Sequence, residues 1–521
     1  SLIGSLTAIE LSGATNAITG MTATQAASVT ARADIGATTL ALAAATGTSD
    51  VASITFGTGT TTAAATNAGA LTVTGFETLN IKANPGPTAS TAANMLTTVA
   101  SLVGATLNKV NMTGSAVAIT NAATTVAATF DASALTGDSN ATIGTAAASV
   151  KGLTLAGDLA SGSTVIGSNF VDTLTIGATG AAGSTYNAGA GNDAISVSPA
   201  NLHTGAVYNL IDGGAGTDTV TISGGAALTL VDADFKGLTN IEKITVTSTT
   251  TNAQSITTGG FFDNNFKTVG ATFTTTSTDG NVSIDASTFS GTATVVATSG
   301  KGTLTISGGS GANTITATSV GTGAGEGTQI ITTLGGNDTV TSSSAVANTT
   351  TNQINTGAGN DTIVAGLGKD LITGGTGVDT MTGGGAVDTF AFGTNGSLIS
   401  VGLDIITDFN TAGADVLTFG GSTTVLAADT STLVAGSNVQ TSAGGVVTFA
   451  TADNTLALKI AAVQADTQLD AAGSIAIFVD SGNTYVYYAG AATGNTDDQL
   501  IQLTGITSLA TITGGATTTI A

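Results

Sequence analysis

Residues 356–391 read TGAGNDTIV AGLGKDLIT GGTGVDTMT GGGAVDTFA, four nines in unbroken register with an aspartate sixth in each. The aspartates are Asp361, Asp370, Asp379 and Asp388, and two residues after each comes an apolar side chain, Ile363, Ile372, Met381 or Phe390. This is the pattern G-G-x-G-x-D-x-U-x, with U a large apolar residue. The first six residues of each nine bend, because glycine enters positive φ without a Cβ penalty. The last three form a short strand. Two nines close one coil, so each nine stacks on the next but one. That spacing sets Asp361 beside Asp379 and Asp370 beside Asp388, between two parallel sheets whose thin core is the U column.

The same bend aims peptide carbonyls into the gap between coils, where the carboxylates would otherwise repel. A cation there meets a cage of hard oxygens. Calcium accepts ~6–8 of them in irregular geometry, whereas magnesium demands a near-ideal octahedron. Zinc prefers His and Cys, and the chain has one His and no Cys. The candidate metal residues are therefore the four aspartates with the turn residues Thr356, Ala358, Ala365, Leu367, Gly374, Thr376, Gly383 and Gly385. A fifth copy, TLGGNDTVT at 333–341, adds Gly336 and Asp338. Single copies, AGAGNDAIS at 188–196 and GGAGTDTVT at 213–221, add Asp193 and Asp218. In GGSGANTIT at 308–316, Asn313 stands where the aspartate would be and brings no charge. Such a roll buries little apolar surface, so it leans on metal. A site that binds only the folded state adds ~2.7 kcal/mol at a free ion concentration of 100 times its Kd. The expectation is a roll that is disordered without calcium.

The remaining sequence is all-β in character. Only 8% of the whole chain's 521 residues are charged, with 41% hydrophobic, a balance that argues against disorder. Thr, Val and Ile abound while Glu, Lys and Arg are scarce, which favours strands. Apolar alternations at 72–81, 243–247 and 303–307 read as short strands between turns. A helix is expected over 89–103, and a hairpin over 475–479 and 484–488 around DSGN. A longer repeat is also present. GTSDVASITF (47–56), TGFETLNIKA (74–83) and FDASALTG (130–137) return in order as GAGTDTVTIS (214–223), KGLTNIEKITV (236–246) and IDASTFSG (284–291). The expected organisation is an elongated multi-module array, β-sandwich or β-solenoid. A module tail spans 1–46, β modules span 47–187 and 188–332, the calcium β-roll spans 333–395, and a β cap spans 396–521.

With 33 acids against 10 bases and a net charge of −23, no charge-driven binding of nucleic acid is expected. No apolar run is long enough for a membrane-spanning helix, and the absence of Trp argues against the aromatic girdles of a membrane barrel. A zinc protease motif needs two histidines, and His203 stands alone in the chain; it reads as a plain loop residue. No serine has glycine at both −2 and +2, so the hydrolase elbow is missing. Glu77 and Glu242 occupy equivalent repeat positions and read as parts of the fold rather than as a glycosidase pair. No enzyme is expected. Phe261, Phe262 and Phe266 read as module core, or as an anchor at a subunit contact. The tyrosines of YVYY at 485–488 read as part of a capping sheet.

At these residues the chain resembles the RTX proteins, whose nonapeptide roll binds calcium. GLDIITDFNTAGADVLTF (402–419), with Asp404, Asp408 and Asp415, is similar to the segment that follows the roll in that family, and Asp404 and Asp408 join the candidate site. FVDSGNTYVYYAGAATGNTDDQLIQLTGI (478–506) is similar to the family's terminal strands. The Thr/Ala/Gly-rich modules resemble RTX-type surface-layer (S-layer) proteins of Gram-negative bacteria. That resemblance implies type I secretion through an uncleaved C-terminal signal and calcium-dependent self-assembly into a hexagonal lattice on the outer surface. It also implies anchoring to lipopolysaccharide through a segment not recognisable here. A secreted RTX adhesin that binds a glycan or host surface is the alternative.

Overall fold

The structure is a computed structural model that describes residues 7–13, 15–45, 47–57, 67–84, 96–137, 150–177, 183–225, 227–321, 327–344, 351–393, 396–410, 414–426, 428–429, 431–492, 494–507, 512–513 and 518–520. It is nearly all β. The chain divides into two compact units. One is Ser1–Gly224 with Leu230–Thr247 and Asn264–Gly270; the other is Gly225–Thr229 with Ser248–Asp263 and Ala271–Ala521.

In the first unit, alternate strands fall into two parallel ladders. One ladder runs Val51–Phe56, Thr78–Ala83, Lys109–Gly114, Thr129–Leu135, Thr164–Ile166, Thr185–Asn187, Leu210–Asp212 and Leu238–Thr239. The other runs from Asn16–Met21 through Thr38–Leu42, Ala68–Thr74, Thr97–Gly104, Val117–Thr124, Lys151–Asp158, Val171–Ile176 and Ala194–Val197 to Thr219–Gly224. A chain that alternates between two parallel ladders winds as a solenoid, and strand periodicity turns every second side chain inward. The inward residues lie in register, so Leu79, Val110, Phe130, Val165, Tyr186, Ile211 and Leu238 form one buried column.

The second unit repeats this design. One ladder stacks Gln254–Thr257, Val282–Asp285, Leu304–Ser307, Gln329–Thr332, Thr351–Asn355, Lys369–Thr373, Thr389–Phe392 and Val416–Phe419. The other stacks Ala271–Ser277, Ala293–Ser299, Thr314–Ser319, Thr339–Ser344, Thr362–Val364, Thr380–Thr382 and Asp404–Ile406. The U residues Ile363, Ile372, Met381 and Phe390 are fully buried. They continue columns that begin upstream: Ile372 follows Ile306, Ile331 and Ile354, and Ile363 follows Val295, Ile315 and Val340. The ladders thus pass without interruption through 332/333, where the nines begin in sequence.

Beyond the last nine, Ser474–Asp480, Asn483–Tyr488 and Gln499–Leu503 form an antiparallel meander. Gln499–Leu503 pairs in parallel with Asp404–Ile406, which covers an open ladder edge that would otherwise invite pairing with another chain. Tyr485 and Tyr487 lie in the core of this cap with Phe478, Val463 and Leu500. The helix Leu456–Gln464, capped by Thr455, packs against the same core.

Two expectations fail. The described part of 89–103 holds the strand Thr97–Gly104, not a helix. Its neighbours Ala68–Thr74 and Val117–Thr124 offer ladder partners on both sides, and this tertiary pairing overrides local preference; residues 89–95 lie outside the described ones. His203 is not a plain loop residue either. It opens a small hairpin with Tyr208, and its Nε2 lies 2.8 Å from Asp234 Oδ1.

The phenylalanine cluster sits on the helix Gly260–Phe266. Phe262 and Phe266 are fully buried, with Phe262 against Phe273 and Phe289, while Phe261 is exposed. The longer repeat shows in matching bonds. Glu77 Oε2 accepts from the Asp50 amide at 2.7 Å, and Glu242 Oε2 from the Asp218 amide at 2.8 Å. Asp131 and Asp285 each accept from a serine two residues on, at 2.6 Å to the hydroxyl. The C-terminal residues expected to carry a secretion signal fall partly outside the described residues.

Candidate metal centre

In the nines at 356–364 and 374–382 the turns depend on glycine at the second and fourth positions. Gly375 and Gly377 have φ of +110° and +136°. A Cβ on either would overlap the carbonyl oxygen of Gly357 or Gly359 one coil away. Glycine is thus required twice, by the backbone angle and by the closeness of the coils. The turns bridge in parallel at Gly335–Ala358 and Ala358–Thr376.

This stacking assembles two carboxylate ladders. In the first, the Asn313, Asp338, Asp361 and Asp379 amides donate to Oδ1 of Asp338, Asp361, Asp379 and Asp404, at 2.6, 2.7, 2.9 and 2.8 Å. In the second, the Asp370 and Asp388 amides donate to Oδ1 of Asp388 and Asp415, both at 2.9 Å. Each of these Oδ1 atoms therefore ties one coil to the next. The other oxygen is left over: Oδ2 of Asp338, Asp361, Asp370, Asp379 and Asp404 is buried with no hydrogen-bond partner.

An orphaned buried carboxylate oxygen is costly unless a cation or proton meets it. Thr356 does not serve, because its single hydroxyl proton goes to the Gly374 carbonyl at 2.8 Å. Gly374 and Gly383 lie against Oδ2 of Asp379 and Asp388, where a methyl group would press on that oxygen. Among the described residues no three acidic, His or Cys side chains converge so as to hold one metal ion, so a cage here must be completed by peptide oxygens. Hard, oxygen-only donors in irregular geometry suit calcium. The carbonyls of Thr356, Gly374 and Thr376 each accept one hydrogen bond, at 2.6, 2.8 and 2.9 Å, and each keeps a second lone pair.

Not every candidate has the same standing in this geometry. Asp408 spends both oxygens on the Gly383 and Gly384 amides, at 2.9 and 2.7 Å, and acts as a cap on the turn. Asp193 and Asp218 stand in a ladder of their own in the first unit. Ala358 sits in the bridged turn column, whereas Ala365, Leu367, Gly383 and Gly385 sit in the turns on the Asp370 side, with Leu367 exposed. Gly336, at φ +94°, adjoins the Asp338 turn. The structure adds Asn352 and Ser397, and it places Asp415 of the 402–419 segment next to Asp388. Asn352 donates its side-chain amide to Asp370 Oδ1 at 2.8 Å, and Ser397 donates nothing to Asp404 but accepts its amide at 2.8 Å. Each ladder thus begins at an asparagine, Asn313 or Asn352, whose NH2 donates to Oδ1 of the first aspartate without adding charge. Asp415 lies in the segment similar to the one that follows the roll, and the nine-residue spacing alone does not show that it stacks on Asp388.

Burial raises these carboxyls from an ordinary value of 3.8: Asp370 and Asp388 to about 7, Asp361 and Asp379 to about 6, and Asp404 to about 8. Neighbouring aspartates push further in the same direction at Asp361, Asp379, Asp388 and Asp404. A carboxyl with a raised folded pKa stabilises the fold fully below its unfolded value and loses that contribution as pH rises through the folded one. Protein dialysed free of calcium will therefore melt at a higher temperature at pH 5 than at pH 8, followed by circular dichroism. An inverted order would contradict buried, uncompensated carboxylates.

Residues 348–390 match the RTX calcium-binding nonapeptide repeat, in four copies. RTX nonapeptide repeats bind calcium, in agreement with the orphaned oxygens. The match covers the roll and not the rest of the chain. No curated protein matches the chain. RTX repeat proteins are typically secreted to the extracellular space, and all-β members are typically structural or adhesive.

Proposed function

We propose that the protein is a structural subunit of a bacterial surface layer, self-assembling into a calcium-dependent two-dimensional lattice on the outside of a Gram-negative cell. The observation that carries this reading is the unbroken stacking of coils with a carboxylate ladder built in. Such a scaffold is hardened by an ion abundant outside cells and scarce within them. Low charge density and strands rich in Thr suit dense lateral packing, and the chain itself is then the main partner, in a hexagonal array. Type I secretion and attachment to lipopolysaccharide belong to this reading through the family resemblance. Electron microscopy of the purified protein tests it: ordered sheets in millimolar calcium and dispersed particles after chelation are expected. Dispersed particles under both conditions would sink it.

One observation favours the adhesin alternative. A cavity of about 340 Å³ is lined by Asn240, Glu242, Asn264, Asn265 and Thr268, polar groups of the kind that hydrogen-bond sugar hydroxyls. Glycan-array binding abolished by Asn264→Ala, without sheet formation, would support that reading instead.

A further inference from the structure

We propose that one outer face of the second unit binds ice, docking on the ordered water of a crystal surface. The face is the outward side of the ladder that runs from Ala271–Ser277 to Thr380–Thr382. The inference goes beyond the surface-layer reading and does not rest on it.

Strand alternation turns every second side chain of this ladder outward, and the register sets like on like. Thr272, Thr294, Thr314, Thr339, Thr362 and Thr380 form one outward file, each the direct partner of the next. Two residues further along the strands, Thr274, Val296, Thr316, Thr341, Val364 and Thr382 form a second file. Thr276, Thr298, Thr318 and Ser343 form a third. All of these residues are half-buried or exposed, and no charged or aromatic residue stands among them. The register of these strands carries no shift. In the first unit, by contrast, Val117–Thr124 slips against Lys151–Asp158 between Ile119 and Ala122.

The strand preference of threonine does not by itself account for this face. The opposite ladder of the same coils obeys the same preference, yet its outward file reads Ser255, Ser283, Thr305, Ile330, Gln353 and Leu371. The uniformity is confined to one side. Neighbouring strands lie ~4.8 Å apart and two residues rise ~6.6 Å, so the threonines stand on a rectangular grid. The first spacing is close to the oxygen repeat along one axis of hexagonal ice, and the second approaches the repeat along the perpendicular axis. Each grid point offers a hydroxyl that can join the crystal and a methyl group that orders the water around it. Branching at Cβ holds χ1 in place, so the grid is set before contact and little side-chain freedom is lost on binding. The two valines keep the shape and the methyl groups. A charged side chain would hold water in a shell of its own, and a crystalline polysaccharide would call for aromatic rings to stack on its sugars; the face has neither.

The test uses the full-length chain in millimolar calcium, with ice as the ligand. Thermal hysteresis and the shape of single ice crystals are measured in a nanolitre osmometer for wild type, Val296→Lys and Gln353→Lys. Val296 lies inside the grid between Thr294 and Thr298 and is exposed; Gln353 is exposed on the opposite ladder. Wild type and Gln353→Lys are expected to facet the crystals and open a hysteresis gap. Val296→Lys is expected to lose both, with unchanged circular dichroism. Round crystals without hysteresis in wild type would overturn the proposal, and so would equal loss or equal retention in the two variants. Retention of wild type on crystalline cellulose, with no effect on ice, would overturn it too. Should Val296→Lys not fold, Thr318→Lys on the same face takes its place, read by the same outcomes.

Discussion

Chelating calcium at pH 8 will unfold the nines and the coils that stack on them, with loss of β signal in far-UV circular dichroism. Amide protection across 333–395 will vanish in hydrogen exchange. The argument is electrostatic before it is structural. Asp338, Asp361, Asp379 and Asp404 form one file of buried carboxylates, Asp370, Asp388 and Asp415 another. Moving a single charge out of water costs several kcal/mol even after relaxation, and here each file repeats the cost. Calcium at saturating levels offsets it and adds ~2.7 kcal/mol per site at 100 times Kd. Magnesium at the same concentration will not restore the signal, because it keeps its waters and its octahedron. Retention of full protection in chelator at pH 8 would show that the carboxylates need no ion.

Gly375→Ala will destabilise the calcium-loaded protein by about 3–4 kcal/mol, the upper range for a single change that strains both backbone and packing. Alanine at φ +110° is strained in itself, and its Cβ has no space because the Gly357 carbonyl oxygen already fills the site. The coils must separate, which also weakens the amide bond from Asp361 to Asp379. The converse change supplies a control. Ala386 holds φ +79° in the last nine, so Ala386→Gly relieves strain and will be neutral or stabilising by up to ~1 kcal/mol. Denaturant melts in calcium compare the two; equal midpoints for Gly375→Ala and wild type would refute the close-stacking argument.

The roll was legible because one residue class repeats at one interval. Four aspartates in register announce both the coil length and the ligand chemistry. What lay upstream was harder to read, for a physical reason. The solenoid tolerates insertions: Asp193 to Asp218 and Asp379 to Asp404 are each joined across one coil, but the extra residues loop out and destroy the count. Inward positions at Val295, Ile315 and Val340 required only something apolar, so no motif marks them. The strand at Thr97–Gly104 was misread because its determinants are its two neighbours, which are remote in sequence. Asp408 entered through the resemblance carried by 402–419; only the structure shows that its oxygens also brace the turn at Gly383 and Gly384.

The amide-to-carboxylate bonds all point one way: each aspartate's N–H is held by the acid that comes later in the chain. At the far end, the Asp404 N–H rests on the Ser397 hydroxyl, which in turn donates to the Leu500 carbonyl. The meander therefore closes that file, since the hydroxyl that receives its last amide is itself held by a cap strand. A chain cut short of that meander would keep every nonapeptide and leave this last amide without its anchored acceptor.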